Sequence, residues 1–244
     1  MQIQFLGCGD AFGSGGRFNT CFMVQWRDGR FLIDCGATSL VAMKQQGVEP
    51  NAIDAILVTH LHGDHFGGLP FFLLDARLVS RRRRPLILAG PPGLRQRLDA
   101  AMEVLYPGSS KKAGDFDLDV RELDPGRRHD IGGVGVTPFL VNHSCGAPPF
   151  ALRVECEGRI LCYTGDTAWS DSLIAAGRDA DLMIAEANFF ETPVKGHMDY
   201  RTLESRVPDI RPKRLILTHM GEDMLARAGD LAFETAEDGK IITL

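Results

Sequence analysis

The residues His60-Leu61-His62-Gly63-Asp64-His65 supply four potential metal ligands within six positions, directly after an apolar run at residues 55–58. Three imidazoles and a carboxylate bind a divalent metal readily, and with ligands from elsewhere in the chain they can bind two. Alternation along an extended segment places His60 and His62 on the same side. The glycines that follow allow a sharp turn. The segment therefore predicts a metal centre at the end of a buried strand.

Composition limits the class of protein further. A chain of 244 residues with 44% hydrophobic content can bury a substantial core, and its net charge of −5 argues against a strongly nucleic-acid-binding surface. The apolar stretches are too short to cross a bilayer, and no secretory signal pattern opens the chain. The six cysteines include no Cys-x-x-Cys pair, which favours buried thiols over disulfides or a thiolate zinc site. We therefore expect a cytoplasmic protein with no membrane partner.

Strand and helix patterns alternate along the chain, with strands first. Hairpins are predicted at Asp28-Gly29, at Glu157-Gly158 and at Asp238-Gly239. Further short strands are predicted between residues 116 and 163. The other predicted strands cover residues 2–6, 21–25, 30–34, 53–59, 86–89, 181–185 and 214–218, and the predicted helices cover 38–46, 69–80, 93–105, 170–176 and 200–206.

Two apolar strands in different halves of the chain have similar ends. Residues 56–60 read Ile-Leu-Val-Thr-His, and residues 215–219 read Leu-Ile-Leu-Thr-His. The similarity favours two related halves that meet at a shared site, and chance similarity between apolar strands is the alternative.

Three dispersed residues supply what the cluster lacks. His143, Asp166 and His219 each follow a predicted strand. Singly, they could be a loop histidine, a helix N-cap and a core histidine. Together they complete two metal sites. Asp34, also at a strand end, is a candidate for orienting one of the imidazoles or a structural acid.

With these motifs the chain resembles the metallo-β-lactamase fold superfamily, specifically its ribonuclease Z-like branch. The resemblance covers nearly the whole chain, and Glu186 and His197 combined with the histidine cluster point to that branch. It implies one α+β domain over residues 1–244, a four-layer αββα sandwich of two similar halves with the site at the edge between the sheets. The supporting motifs are Phe5-Leu6-Gly7-Cys8-Gly9, Arg17-Phe18-Asn19-Thr20, Leu32-Ile33-Asp34-Cys35-Gly36, Tyr163-Thr164-Gly165-Asp166-Thr167, Glu186-Ala187-Asn188-Phe189, Gly196-His197-Met198 and Leu217-Thr218-His219.

The resemblance also implies the ligand set and the chemistry. Two divalent ions, Zn²⁺ or alternatively Mn²⁺, would activate water as hydroxide to attack a phosphodiester. Beside the ligand Asp64, the implied catalytic residues are His197, a proton or hydrogen-bond donor to the phosphate and leaving oxygen, and Glu186, its support. The implied ligands are His60, His62 and His143 for one ion, Asp64, His65 and His219 for the other, and Asp166 as the bridge.

The chain departs from the tRNA-maturing enzymes of that branch in one respect. Those enzymes carry a long arm, which in the common bacterial form lies between the positions of His143 and Asp166, and only 22 residues separate the two here. A small phosphodiester or nucleotide, such as a cyclic nucleotide or a short oligonucleotide, therefore fits better than structured RNA. The basic stretches 81–84, 111–112 and 127–128 could contact phosphates or form a solvated face. The glycine-rich residues 7–16 can shape a pocket but are weak evidence of phosphate binding.

Other activities are weighed against this one. A ribonuclease Z-type tRNA 3′ endonuclease, or a hydrolase of a thioester, lactone or sulfate ester, uses the same chemistry. A dizinc β-lactamase would usually carry cysteine at the position of Asp166, and a diiron oxygen-reducing relative would carry glutamate at the position of His62. A noncatalytic scaffold is expected to lack at least one ligand, whereas here the set is complete. Relatives are frequently homodimers, but the sequence shows no interface.

Overall fold

The computed structural model describes residues 1–112 and 114–244. The helices are α1 (Ser39–Gln45), α2 (Gly63–Phe66), α3 (Leu69–Leu78), α4 (Leu94–Leu105), α5 (Ser172–Gly177), α6 (Tyr200–Ile210) and α7 (Glu222–Leu225). The strands are β1 (Gln2–Gly7), β2 (Cys21–Trp26), β3 (Gly29–Ile33), β4 (Ala55–Leu57), β5 (Leu86–Gly90), β6 (Leu118–Glu122), β7 (His129–Ile131), β8 (Val134–Leu140), β9 (Phe150–Cys156), β10 (Arg159–Tyr163), β11 (Leu182–Glu186), β12 (Leu215–Thr218), β13 (Glu234–Thr235) and β14 (Ile241–Thr243).

Within the described residues the strands form two seven-stranded sheets of the same topology. The first sheet has the order β14-β1-β2-β3-β4-β5-β6, and the second, read from its corresponding end, has the order β7-β8-β9-β10-β11-β12-β13. In each sheet the first four strands are antiparallel neighbours and the last four are parallel. The prediction of two similar halves is therefore confirmed.

Three apolar clusters produce the four layers. The central one joins the facing sides of the two sheets, where the rings of Phe22 on β2 and Tyr163 on β10 meet edge-to-face with centroids 5.0 Å apart. A second cluster packs α1, α3 and α4 on the outer face of the first sheet. A third packs α5 and α6 on the outer face of the second sheet. The predicted αββα sandwich is confirmed, because each sheet buries one face on the other sheet and one on helices.

The similar segments 56–60 and 215–219 do not occupy equivalent positions in the two sheets. By topology, the counterpart of β4 is β11, and β12 corresponds to β5. Both β4 and β12 are short, fully buried strands in parallel surroundings, which favours the same apolar residues in each. The two halves do share one topology, but the sequence similarity of these two segments comes from their similar buried surroundings and not from equivalent positions.

The predicted hairpin at Asp238-Gly239 is wrong. β13 pairs with β12 in the second sheet, whereas β14 pairs with β1 in the first. The turn therefore carries the chain from one sheet to the other. An Asp-Gly pair indicates where the backbone reverses but does not specify the partner of the strand that follows. The hairpins at Asp28-Gly29 and Glu157-Gly158 are confirmed, since they join β2 to β3 and β9 to β10.

Two smaller expectations can also be compared with the structure. In the described part of the chain, none of the helices is both long and apolar enough to cross a membrane. All six cysteines are buried free thiols, as expected.

Candidate metal centre

The histidine-rich segment lies at the carboxyl end of β4, among parallel strands. The buried ring of His60 contacts the hydroxyl of Thr59 through Nδ1 at 3.1 Å. Thr59 is held by Asp34, whose carboxylate accepts a bond from its amide at 2.7 Å and from its hydroxyl at 2.8 Å. The other ligands of the segment follow in a tight turn and in α2, which contains Asp64 and His65. The strand is shorter than predicted, but it delivers the cluster as expected.

Asp34 is the clearest orienting residue of the site. It is fully buried in the left-handed region, with φ of 59°, and its Oδ2 accepts a 2.7 Å hydrogen bond from Nδ1 of His65. That bond leaves Nε2 of His65 free to face the site. The turn of the cluster packs against Gly36, where an added Cβ would lie only 2.1 Å from the carbonyl oxygen of Asp64. Only glycine fits this close approach.

The dispersed residues come from ends of strands in the second sheet. His143 follows β8, and its Nδ1 donates to the carbonyl oxygen of Gly196 at 2.7 Å. Asp166 follows β10 and is buried. His219 follows β12 in the left-handed region, with φ of 56°, and its amide donates to the carbonyl oxygen of Cys8 at 3.0 Å. The structure thus brings all seven predicted ligands to one edge between the sheets.

The potential ligands form two adjacent clusters. In the first, His60, His62 and His143 offer nitrogen atoms that lie within 4.8 Å of one another. In the second, the potential ligand atoms of Asp64, His65, Asp166 and His219 lie within the same distance. Asp166 connects the two, since Oδ2 lies 3.8 Å from Nε2 of His60 and Oδ1 lies 3.1 Å from Nε2 of His65. The described residues therefore place one carboxylate between two ligand groups.

The chemistry of these atoms fits divalent cations. Nε2 of His60 is buried and, among the described residues, has no hydrogen-bond partner, and the buried Oδ1 of Asp166 lies near Nε2 of His65 without the geometry of a hydrogen bond. Ring nitrogens approach one another closely, 3.0 Å between His62 and His143 and 3.4 Å between His65 and His219. Unpaired buried acceptors are costly in a folded protein unless a cation or donor satisfies them. The donor set of imidazole and carboxylate is the one that zinc and similar metals prefer.

Protonation trends agree with a ligand role. Burial, and then the neighbouring His65, lower the pKa of His60 well below its usual range. Its imidazole is therefore neutral and has a lone pair available for a metal. Burial alone would raise the pKa of Asp166, but the imidazoles of His219 and His65 hold it well below the usual range. The carboxylate of Asp166 therefore carries a negative charge at neutral pH, as a metal ligand would.

His197 and Glu186 form a pair beside the two clusters. Glu186 ends β11, is fully buried, and binds Nδ1 of His197 through Oε1, while its Oε2 accepts a bond from the amide of Thr167 at 2.7 Å. His197 is partly open to solvent, with 26% of its side chain exposed. Burial would lower the pKa of His197, but the hydrogen bond and charge of Glu186 raise it. This arrangement favours a protonated imidazole that faces the cleft.

Three supporting residues were not identified as site residues from sequence. Thr59 contacts His60, the carbonyl of Gly196 accepts from His143, and the amide of Asn188 lies 3.2 Å from Nδ1 of His219. Thr59 is adjacent to the first histidine, and Asn188 lies in the motif that begins with Glu186, so both carried a signal. Gly196 lies in an irregular loop and contributes a backbone oxygen, for which the sequence has no signature.

A cleft of about 300 Å³ opens above the centre. Its floor contains His62, Asp64, Asp166, His197 and His219, and its rim includes Ala11, Phe12, Phe189 and Val194. Small-molecule sites occupy roughly 300–1,000 Å³, so this cleft is at the small end of that range.

The basic stretch 81–84 lies away from this cleft and is not a simple solvated face. It precedes β5, whereas the clusters lie at the carboxyl end of the neighbouring parallel strand β4. Arg82 is only 1% exposed and donates to the carbonyl oxygens of Pro50, Ile53, Arg84 and Pro85. Arg83 and Arg84 pair with Asp115 and Asp54. Arg82 is thus a structural residue, because its guanidinium satisfies a set of loop carbonyls.

Known proteins share this sequence pattern and fold. A ribonuclease Z of Bacillus thuringiensis (strain Al Hakam) is 28% identical over 272 aligned positions, which cover 90% of this chain and 88% of the relative. The crystal structure of human tRNase Z, short form (ELAC1), superposes with a TM-score of 0.82 at 27% identity, over 100% of this chain and 99% of that one. Zinc-bound PqqB of Methylobacterium extorquens has a TM-score of 0.77 at 17% identity, and the match covers all of both chains.

These similarities identify the chain as a metal-dependent hydrolase of the metallo-β-lactamase fold with ribonuclease Z homologues. A family model described as anti-Pycsar protein Apyc1 matches residues 1–240. The match covers nearly the whole chain, so the protein belongs to the anti-Pycsar protein Apyc1 family.

Proposed function

We propose that this protein is a dinuclear metal phosphodiesterase that acts on a small phosphodiester or nucleotide, such as a cyclic nucleotide. The observation that carries the proposal is that His197, held by the buried carboxylate of Glu186, lines the same cleft as Asp64, Asp166 and His219. A proton donor beside a site for paired cations suits cleavage of an ester whose leaving oxygen needs a proton.

In this proposal the seven predicted ligands would hold two divalent ions. Zn²⁺ is favoured by the predominance of imidazole, and Mn²⁺ is the alternative. When bound, such a pair supplies Lewis-acid activation of water and neutralises charge on the phosphoryl group. Asp34 and the carbonyl of Gly196 orient His65 and His143, so that each ring presents Nε2 to the site.

The chain's own residues provide the proton. Glu186 binds Nδ1 of His197 and thereby directs Nε2 of that ring toward the cleft. From there His197 donates to the leaving oxygen as it acquires negative charge. Glu186 also accepts a hydrogen bond from the amide of Thr167, directly after Asp166, so one buried carboxylate fixes His197 relative to Asp166.

The limited space above the centre favours a small substrate. The residues between His143 and Asp166 form the β9–β10 hairpin. The alignment with the Bacillus ribonuclease Z spans 272 positions, more than the 244 residues of this chain, so the relative carries segments that this chain lacks. Together with the small cleft, these features support a nucleotide-sized phosphodiester over a folded RNA.

A substrate panel tests the proposal. The metal-loaded protein is assayed with bis-p-nitrophenyl phosphate, a nucleoside 3′,5′-cyclic phosphate, a tRNA precursor, a lactone and a thioester. We expect bis-p-nitrophenyl phosphate and the cyclic phosphate to be cleaved fastest by kcat/KM. An Asp166→Ala variant prepared in parallel should cleave neither, which controls for contaminating enzymes. Faster hydrolysis of the lactone or thioester would replace phosphodiesterase with the other hydrolase class.

Cleavage of tRNA is the second candidate. It is favoured by the similarity to human tRNase Z over the full chain. The same panel separates the two, because accurate cleavage of the tRNA precursor with slow turnover of the cyclic nucleotide would establish the endonuclease.

Metal analysis tests the cofactor separately. About two equivalents of zinc or manganese per chain are expected after purification under metal-replete conditions. A value near zero would remove the basis for the proposed chemistry.

A further inference from the structure

One aromatic side chain stands almost entirely in solvent at the rim of the cleft. Phe12 is 93% exposed, whereas Phe189 and Val194, which line the same cleft, are both half-buried. A single exposed apolar side chain is common on protein surfaces and proves nothing alone. What distinguishes Phe12 is the way its loop is built.

The loop that carries Phe12 is held in one shape by the carboxylate of Asp10. Oδ1 of Asp10 accepts bonds from the amide of Phe12 at 3.1 Å and of Ser14 at 2.9 Å, and Oδ2 accepts the Ser14 hydroxyl at 2.6 Å. The Asn19 amide donates to the Asp10 carbonyl at 3.0 Å. Asp10 itself is only 4% exposed. The ring of Phe12 is therefore presented from an organised turn.

The same loop is tied at its base and its far side to the metal centre and its neighbours. The carbonyl of Cys8 accepts the amide of His219 at 3.0 Å, and the amide of Cys8 donates to Asp238 at 3.0 Å. Across the loop, the amide of Gly15 donates to Glu222 on α7 at 3.0 Å. These contacts anchor the loop that carries Phe12 to the segment of His219, a predicted ligand.

From this geometry we propose that Phe12 is a specificity residue, the surface on which the planar base of a nucleotide substrate stacks while its phosphate lies at the floor of the cleft. The inference rests on the proposed function and adds to it a requirement for a base. Aromatic faces attract nucleobases by stacking and by removing apolar surface from water. The carboxylate oxygens of Asp10 accept hydrogen bonds within the loop, and the side chain that the loop leaves exposed at the rim is the apolar ring of Phe12.

Steady-state kinetics with a matched pair of substrates test the proposal. The pair is adenosine 3′,5′-cyclic phosphate and methyl riboside 3′,5′-cyclic phosphate, which has the same ring phosphate and no base. We expect Phe12→Ala to raise KM for the first by roughly 5- to 150-fold, the range for losing one base–aromatic stack, with kcat unchanged. KM for the second is expected to stay within about twofold, because it has no base to lose.

Two further variants and a control separate stacking from other effects. Phe12→Trp is expected to keep the low KM, and Phe12→Leu to behave like Phe12→Ala, since stacking needs an aromatic face. Leu78→Ala removes another exposed apolar side chain, which lies on α3 and is 70% exposed. This control is expected to leave KM unchanged for both substrates. An equal rise in KM for both substrates, or none for either, would overturn the assignment.

A binding measurement keeps this inference distinct from the proposed activity. Calorimetry on the metal-loaded protein measures the Kd of adenosine 5′-monophosphate for wild type and for Phe12→Ala. We expect the same fold loss as in KM. If wild type hydrolyses no phosphodiester but shows this loss, the stacking surface stands and the activity is wrong. If wild type does not bind the mononucleotide, or the variant binds it equally well, the stacking surface is wrong.

Discussion

The two halves of the molecule contribute to the site in opposite ways. The first sheet supplies four potential ligands from one continuous segment, His60 to His65, at the end of β4. The second supplies His143, Asp166 and His219 from the ends of three different strands, β8, β10 and β12. The two sheets share one topology, so the difference lies in the sequence separation of the potential ligands, which is short in the first half and long in the second.

That difference separates local turn geometry from sheet topology. Within the continuous segment, a short turn and α2 set the spacing of the potential ligands, and Asp34 and Gly36 support that turn from the end of the neighbouring strand. In the second half, parallel strands carry the ligands to one edge, so their spacing depends on strand order and packing. Glu186 at the end of β11 follows the same rule. Variants that affect one half, or the point where the halves meet, test this contrast.

The largest effect is expected at the residue shared by both clusters. Asp166→Ala removes the carboxylate that contacts His60, His65 and His219, so it should lower the metal content and reduce turnover by more than the roughly 100-fold typical of orienting residues. Metal analysis and kcat/KM measure this. Asp75→Asn, at a buried carboxylate on α3 that pairs with Lys44, is the matched control and should retain metal. Full metal occupancy in Asp166→Ala would contradict this expectation, because it would show that each cluster binds its ion without the shared carboxylate.

A smaller effect is expected at His197, the proposed proton donor of the second half. His197→Ala should lower kcat about 100-fold, within the range for general acid catalysis, with the metal content unchanged. The loss should be larger for an alkyl ester than for a p-nitrophenyl ester, because p-nitrophenolate leaves without a proton. Equal losses for both esters would assign His197 to binding.

A comparable or smaller effect is expected at the orienting residue of the first half. Asp34→Asn keeps the size and tolerates the left-handed backbone, but it weakens the bond that orients His65. We expect a roughly 10- to 100-fold loss in metal affinity or turnover. Titration with zinc in a competing chelator measures the affinity. Wild-type affinity would show that the local turn alone positions His65.

The smallest effect on turnover is expected outside both ligand sets. Arg82→Met leaves loop carbonyls without their donor, so it should lower the free energy of unfolding by about 2–4 kcal/mol while kcat per folded molecule stays unchanged. Denaturant unfolding measures the loss. Arg83→Ala, at a neighbouring side chain that is 73% exposed and paired with Asp115, should change stability by less than about 0.5 kcal/mol.

The contrast also explains how much of the molecule could be predicted from sequence. The continuous segment, the strand ends and the turns at Asp28-Gly29 and Glu157-Gly158 are local patterns, and the structure places them as expected. The turn at Asp238-Gly239 was assigned to a hairpin because its true partners, β12 and β1, are distant in sequence. The support of His143 by Gly196 was missed for a related reason, since any residue can supply a backbone oxygen.

The edge-to-face contact of Phe22 with Tyr163 has a consequence for heat sensitivity. It joins opposite sheets, and β10, which carries Tyr163, continues within three residues into Asp166. Slight thermal sliding of one layer over the other would displace the ligands before either layer loses its ladders of hydrogen bonds. Inactivation on warming should therefore precede the loss of the far-ultraviolet dichroism signal.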